Sequence, residues 1–410
     1  MGVPKLRFKA DDGSDFPNWE EKTLGELCGP LSYGMNAAAT KFDGENRYIR
    51  ITDIDDETHA FLSNDVVSPS GELDDKYLVK KGDILLARTG ASTGKSYLYH
   101  PKDGKLFYAG FLIKAHVLPS SDDYFIYSQT LTDRYGKWVK TTSMRSGQPG
   151  INANEYASYS FSVPSLPEQR KIAGLLSTVD DVIAAQKTEV AAWEKRKKGV
   201  MQKLFSQEVR FKADDGSDFP DWKEKTLGNL GTFLKGVPLS KSDITDEGTP
   251  LILYGELYTT YAEVAYSIAR RTDKKVPDKF YSKVGDVVIP TSGETPEEIS
   301  TATCVMKDGV ILAGDLYIYR PATNVDGRIL SYLLNHQVNN AISRIAQGKS
   351  VVHVQSKELE RIHVIFPSSP IEQRKIADCL ASLDDVITKA KDELDAWCEL
   401  KKGLLQQMFI

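Results

Sequence analysis

Residues 6–27 read LRFKADDGSDFPNWEEKTLGEL, and residues 209–230 read VRFKADDGSDFPDWKEKTLGNL, the same at all but four positions. A second pair lies further on: LPEQRKIAGLLSTVDDVI from Leu166 and PIEQRKIADCLASLDDVI from Pro370. The first pair is offset by 203 residues and the second by 204, so one unit is written twice along a chain of 410 residues. Any fold for this chain must be one that each half can adopt in turn.

The close of each unit carries helix signals. Ser165 and Glu168 fit a capping box with Pro167 in the first turn, and Ser369 and Glu372 fit another with Pro370. Residues then recur in steps of four and three: Ile172, Leu176, Val179, Ile183, Gln186, Val190, Trp193, Lys197, Val200 and Leu204. The copy gives Ile376, Leu380, Leu383, Ile387, Ala390, Leu394, Trp397, Lys401, Leu404 and Met408. Held over about five heptads, this is a coiled-coil seam. Each helix of roughly forty residues would span about 60 Å. Equal lengths and matching seams favour pairing of the two helices with each other over burial as separate amphipathic core helices. If they pair antiparallel, the globular parts lie at opposite ends and a dumbbell with pseudo-two-fold symmetry follows. Gly199 and Gly403 stand at the same helix position after a Lys-Lys pair, which suggests close approach of a helix or partner, or a frayed helix end.

The intervening stretches, 28–163 and 231–366, diverge but keep landmarks. Tyr48–Ile54 aligns with Leu251–Leu257 as a short strand ending at an acidic residue. GDILLARTGAS from Gly82 aligns with GDVVIPTSGET from Gly285 as a turn, a β-rich strand and a polar loop. Helical stretches near 122–140 and 326–346 precede a second pair of loops, SGQPGIN from Ser146 and QGKSVVH from Gln347. The class is α+β. The expected organisation is a globular domain over 1–164, a long helix over 165–206, a second domain over 207–368 and a second long helix over 369–410.

The string ARTGASTGKS at residues 87–96 imitates a phosphate-binding loop. Such a loop needs four residues between its first Gly and Gly-Lys and must open a helix. Gly90 and Gly94 are separated by three, and the turn-rich YLYHPKDGKLFYAG follows; the twin loop, TSGET, has no Gly-Lys at all. No methyl-donor loop, amino-methylation motif or nuclease carboxylate set is present, and the FPNW and FPDW stretches read as packing corners. Cys28, Cys304, Cys379 and Cys398 form no CxxC pair and read as free thiols of a reducing cytoplasm; with no histidine ligand spacing, no metal site is expected. No apolar run is long enough for a membrane span and the N-terminus has no signal-peptide core, so the expected location is cytoplasmic. The net charge of −5 argues mildly against nucleic acid as a ligand. Two basic clusters run the other way: Arg134, Lys137, Lys140 and Arg145, and Arg270, Arg271, Lys274, Lys275, Lys279 and Lys283. Each is a solvated face or a phosphate contact.

With the two PEQRKIA-type helix starts, the two Gly-Asp strands with their polar loops, and their order along the whole chain, the sequence resembles the specificity subunits of type I restriction–modification systems. The resemblance implies two target-recognition domains, each reading one half of a split site in double-stranded DNA. It implies long helices that set the spacer and dock two methylation subunits, with restriction/translocase subunits in the full complex. It also implies no catalysis by this chain: no cofactor of its own, with methyl donor, ATP and Mg on partner subunits. Base reading calls for Arg or Lys, Asn or Gln, and acidic side chains at base edges. The paired loops offer Arg88, Thr89, Ser92, Thr93, Lys95, Gln148, Asn152 and Asn154 in the first domain. In the second they offer Ser292, Glu294, Thr295, Lys349, Ser350, His353 and Gln355. Gly90, Gly147, Gly293 and Gly348 let backbone approach DNA, or simply serve turn geometry. The rival reading is a coiled-coil scaffold that binds proteins and no DNA.

Overall fold

Strand Glu20–Thr23 pairs antiparallel with Ser160–Val163, and Lys223–Thr226 pairs with His363–Phe366 in the same register. These two ribbons tie together the ends of the two stretches that the sequence leaves divergent. The computed structural model describes residues 4–144, 147–348 and 352–409, which fall into two compact units. The first unit holds Met1–Thr188 with Lys391–Ile410, and the second holds Glu189–Ala390.

In the first unit a four-stranded antiparallel sheet runs in the order Ser32–Tyr33, Leu112–His116, Asp83–Ala87, Ser96–Leu98. In the second, a five-stranded sheet is centred on Asp286–Pro290, flanked by Leu316–Pro321 and Thr303–Val305. Both central strands are buried along their whole length, as the unbroken apolar runs ILLA and VVIP require of strands covered on two faces. Each opens on a glycine at positive φ, Gly82 at 88° and Gly285 at 92°, where the chain turns in a left-handed conformation that a side chain resists. The aspartates that follow are buried, and each is answered from the neighbouring strand. Asp83 accepts from His116 Nδ1 at 2.7 Å, and Asp286 accepts from Arg320 at 2.9 and 2.7 Å. The helical stretches near 122–140 and 326–346 are each broken in two, Asp123–Gln129 with Asp133–Thr142 and Gly327–His336 with Asn339–Ile345.

The long helices run Leu166–Phe205 and Pro370–Met408. Every seam position read from the sequence is buried or half-buried. Within the first unit Ile172 and Leu176 share a core with Leu405, Met408 and Phe409, while Asp180 pairs with Lys401 at 2.6 Å; the two segments run antiparallel. Within the second unit Ile376 and Leu380 share a core with Met201, Leu204 and Phe205, and Asp384 pairs with Lys197 at 2.5 Å. The second set is the first moved on by one repeat. Gly199 and Gly403 play no part in this approach, since a Cβ at either position would meet nothing within 4 Å.

The capping boxes are not formed as the sequence suggested. Glu168 is fully buried and receives two bonds from Arg7, at 3.0 and 2.7 Å, and one from the Trp19 indole at 3.2 Å. Glu372 takes the same place with Arg210, both bonds at 3.0 Å. Each arginine also donates to a proline carbonyl, Pro17 or Pro220, at 2.8 Å. A bidentate guanidinium is a stronger partner for a buried carboxylate than a single backbone N–H. Ser165 Oγ is buried with no partner among the described residues. Lys171 and Lys375 complete the clamp on Asp11 and Asp214, each at 2.6 Å. The near-identical blocks thus hold the first turns of the long helices, and FPNW and FPDW are indeed corners of packing.

Candidate nucleic-acid interface

The two polar loops of each unit, remote in sequence, meet at one end of its central strand. In the first unit Thr89 bridges Gly150, Ile151 N donates to Arg88 O at 2.9 Å, and Gly90 N donates to Pro149 O at 3.0 Å. In the second, Ser292 pairs with His353, Gly293 pairs with Val352, and Val354 N donates to Thr291 O at 3.1 Å. Thr89 and Gly150 correspond to Ser292 and His353 at an offset of 203, so the loop-to-loop pairing is itself duplicated. Asn152 and Gln355 match in the same way, each preceding a short helix, Ala153–Ala157 or Ser356–Leu359.

What the loops present differs. In the first unit Gly94 N and Lys95 O bond back to Ala87, closing the 88–95 loop as a hairpin. A Cβ on Gly94 would lie 2.6 Å from Val139 of helix Asp133–Thr142, so this basic helix packs directly on the loop. Its Lys137 and Lys140 are exposed. The Arg88 guanidinium lies 5.0 Å from the Tyr33 ring centroid, a cation–π contact at the surface. Gly147, Gln148 and Asn154 are exposed, while Arg88, Thr89, Gly90, Ser92 and Thr93 are half-buried.

Several residues expected at the DNA surface have other engagements. Lys95 donates to Ile54 O at 3.0 Å and pairs with Asp56, leaving its side chain 10% exposed. It is a strut inside the unit, not a free cation. Asn152 caps its helix, its side chain accepting from Glu155 N at 2.9 Å, and Thr93 Oγ1 donates to Gly90 O at 2.7 Å. In the second unit Ser292 and Gly293 are buried in the short strand they form against Val352–His353, which corrects their place on the reading surface. Glu294, Thr295, Gly348, His353 and Gln355 are exposed; Lys349 and Ser350 lie outside the described residues, as do Arg145 and Ser146. In the second basic cluster Arg270 pairs with Glu256 at 3.0 Å, Arg271 donates to Gly248 O at 2.9 Å and Lys274 pairs with Asp273 at 4.0 Å; Lys275, Lys279 and Lys283 are exposed.

Beside the 88–95 loop an open cleft of about 1270 Å³ lies between the globular part and the helix segments of the first unit. Ser92, Thr93, Lys102, Asp180, Lys187 and Lys401 are among its walls. No group of three or more potential metal ligands occurs among the described residues. Cys28 and Cys304 are buried, and burial pushes the Cys28 thiol up to about 12, far from a reactive thiolate. No helix among the described residues is long and apolar enough to cross a membrane.

A family model described as the type I restriction modification DNA specificity domain matches residues 17–192 and again 220–396. Two Methanocaldococcus jannaschii proteins named as type I restriction enzyme specificity subunits align over 97% of this chain and 94% of their own length. MjaX is 25% identical and MjaVIII 22% identical. A crystal structure of a type I restriction–modification system S subunit from M. genitalium covers 100% of this chain and 99% of its own. The TM-score is 0.66 at 18% identity. A second structure, from work on complex assembly and conformational transition of the type I R-M system, covers 96% of this chain and 97% of its own. Its TM-score is 0.53 at 16% identity. At these identities the likeness concerns fold.

Proposed function

The chain belongs to the type I restriction–modification specificity subunits, with two DNA specificity domains, and from that premise we propose that each domain reads one half of a split, asymmetric DNA target. The observation that carries this reading is the duplicated loop pair. The same bridge, Thr89 to Gly150 and Ser292 to His353, joins the loops in both units. The exposed residues beside it differ, Gln148 and Asn154 in the first against Glu294, Thr295, His353 and Gln355 in the second. A repeated frame with divergent contents suits two readers of two different sequences. Direct readout needs such a change of donors and acceptors at a fixed place.

The long helices would fix the unread spacer, since half-site spacing is a geometric property of the body that holds the readers. Their outward faces would dock two methylation subunits, and the restriction/translocase subunits would join the full complex. Methyl transfer, ATP use and cleavage would then belong to those partners, with this chain non-catalytic. The surface within each domain would comprise Arg88, Gln148 and Asn154 in the first, and Glu294, Thr295, His353, Gln355 and Lys349 in the second.

The test is to co-express the chain with its methylation subunit and map methylated sites on random DNA. Two separated half-sites are expected; one contiguous block, or no selectivity at all, defeats the reading and favours a scaffold that binds proteins only. Exchanging residues 28–163 for those of a relative should alter one half-site and leave the other. Lys349→Ala should weaken binding to all sequences and reduce the salt slope by about one, as expected for one lost phosphate contact.

A further inference from the structure

Phe111 is 62% exposed at the tip of the turn that enters strand Leu112–His116. A lone exposed aromatic on a protein surface needs no explanation. This one has a second copy of its scaffold to be compared with. Ala109-Gly110-Phe111-Leu112 corresponds to Ala313-Gly314-Asp315-Leu316 at an offset of 204, and only the third residue changes. The turns themselves differ, since Leu112 N donates to Ala109 O and Leu316 N to Gly314 O, with a positive φ at Gly314 alone. One backbone contact nevertheless recurs at the changed residue. Arg88 N donates to Phe111 O at 3.0 Å, and Thr291 N donates to Asp315 O at 2.8 Å. The neighbouring edge strand places Tyr33 beside Ile113 in the first unit and Lys235 beside Tyr317 in the second.

The surroundings of this position are opposite in chemistry. Phe111 stands with Tyr33, itself 43% exposed, and with Arg88, whose Nη1 reaches Gly110 O at 3.4 Å. Asp315 stands with Lys235, an open ion pair at 3.9 Å with both side chains more than half exposed. Both positions lie at the end of the central sheet where the recognition loops converge.

Resting on the reading of the two units as DNA readers, we infer that Phe111 and Asp315 occupy one specificity-determining position, used twice with different chemistry. Phe111 has no donor or acceptor, so at a base edge its partner is the thymine methyl group. A wedge between base steps belongs to minor-groove binders. Arg88 and Gln148 instead equip this end of the sheet for major-groove edges. Asp315 accepts hydrogen bonds and repels phosphate, so its partner is an exocyclic amine, that of cytosine. The first half-site therefore carries a thymine read through its methyl, and the second carries a cytosine read through its amine.

The experiment uses the complex of the full chain with its methylation subunits. A bipartite site is selected from random duplexes, and each thymine is then replaced by deoxyuridine, which removes only the methyl. Wild type should lose roughly five- to tenfold in affinity at one thymine of one half-site. Phe111→Ala should bind the thymine duplex correspondingly weakly and be indifferent to that methyl, while Phe111→Leu keeps part of the dependence. Asp315→Ala should relax selection at one cytosine of the other half-site only. Unchanged melting of each variant would tie these effects to contact and not to folding. If wild type selects a bipartite site but Phe111→Ala keeps its methyl dependence and Asp315→Ala its base preference, the inference fails and the two-reader function stands. If wild type selects no bipartite site, the function fails and takes the inference with it.

Discussion

Lys197 and Lys401 hold the same place in the two long helices, and each pairs with the aspartate that the repeat supplies, Asp384 or Asp180. A tyrosine from the adjoining globular part bonds each aspartate as well, Tyr332 in one unit and Tyr124 in the other. The resemblance ends there. Lys197 also meets Glu263 at 2.9 Å, and Glu263 accepts from His336 Nε2 at 2.5 Å, so the second unit closes on its helices with a five-residue polar network. Among the described residues no second carboxylate pairs with Lys401 in the first unit, where the open cleft lies instead. The difference teaches that the shared sequence specifies the arginine clamp and the helix-to-helix bridge. How tightly a globular part grips the helices is left to its own divergent sequence.

The shared frame should break hardest. Arg7→Gln and Arg210→Gln each leave a fully buried glutamate short of its guanidinium, a loss of about 3–5 kcal/mol. Urea unfolding of the full chain should show the milder effect for Arg7→Gln, because Trp19 still donates to Glu168 whereas the Trp222 indole has no partner among the described residues. A loss below about 1 kcal/mol for either would remove the clamp from the account of stability. Next come the bridges. Lys197→Met leaves two half-buried carboxylates, Glu263 and Asp384 at 13% and 25% exposure, without their shared cation and should cost about 2–3 kcal/mol. Lys401→Met frees a partly exposed aspartate and should cost about 1 kcal/mol. Equal losses would erase the distinction between the units.

Acid should separate them further. Burial acts to raise the Glu263 carboxyl, but the His336 hydrogen bond and the Lys197 charge outweigh it and hold the group down from 4.5 to about 2. A depressed carboxyl contributes stability that is full above its unfolded value and is lost as pH falls through the folded one. Asp384 runs the other way, raised by burial, and so offsets part of that loss. Between about pH 4.5 and pH 2, Glu263→Gln should flatten the rise in hydrogen exchange of residues 193–204 and leave 397–408 unchanged. The smallest effect belongs to Lys95→Ala. It should cost about 0.5 kcal/mol in stability through the lost Ile54 contact and leave the salt slope of DNA binding at its wild-type value.

The duplication and the helix seam were legible because they are periodic, and periodicity survives in one dimension. The nearness of the 88–95 loop to the 147–154 loop was legible only as a matched pair of polar strings; its cause, a bridge from Thr89 to Gly150, joins residues far apart in sequence. Glu168 misled because a capping box is a local pattern, whereas its partner Arg7 is 161 residues away. Lys95 misled because a lysine in a polar loop reads as exposed until Asp56 and Ile54 are placed beside it. Phe111 and Asp315 did leave a signal, identical Ala-Gly and Leu flanks around a changed residue, but it lay outside the glycine-polar loops.

The ribbons of Glu20–Thr23 with Ser160–Val163 and Lys223–Thr226 with His363–Phe366 have a consequence in polymer terms. Each divergent stretch is a loop whose ends are pinned a strand's width apart by four residues on either side. The entropy of closing such a loop grows only with the logarithm of its length, so doubling it costs only about 0.6 kcal/mol. A stretch of different size could be carried on the same four-residue stem with little penalty in closure. Its own core would then have to stabilise the rest.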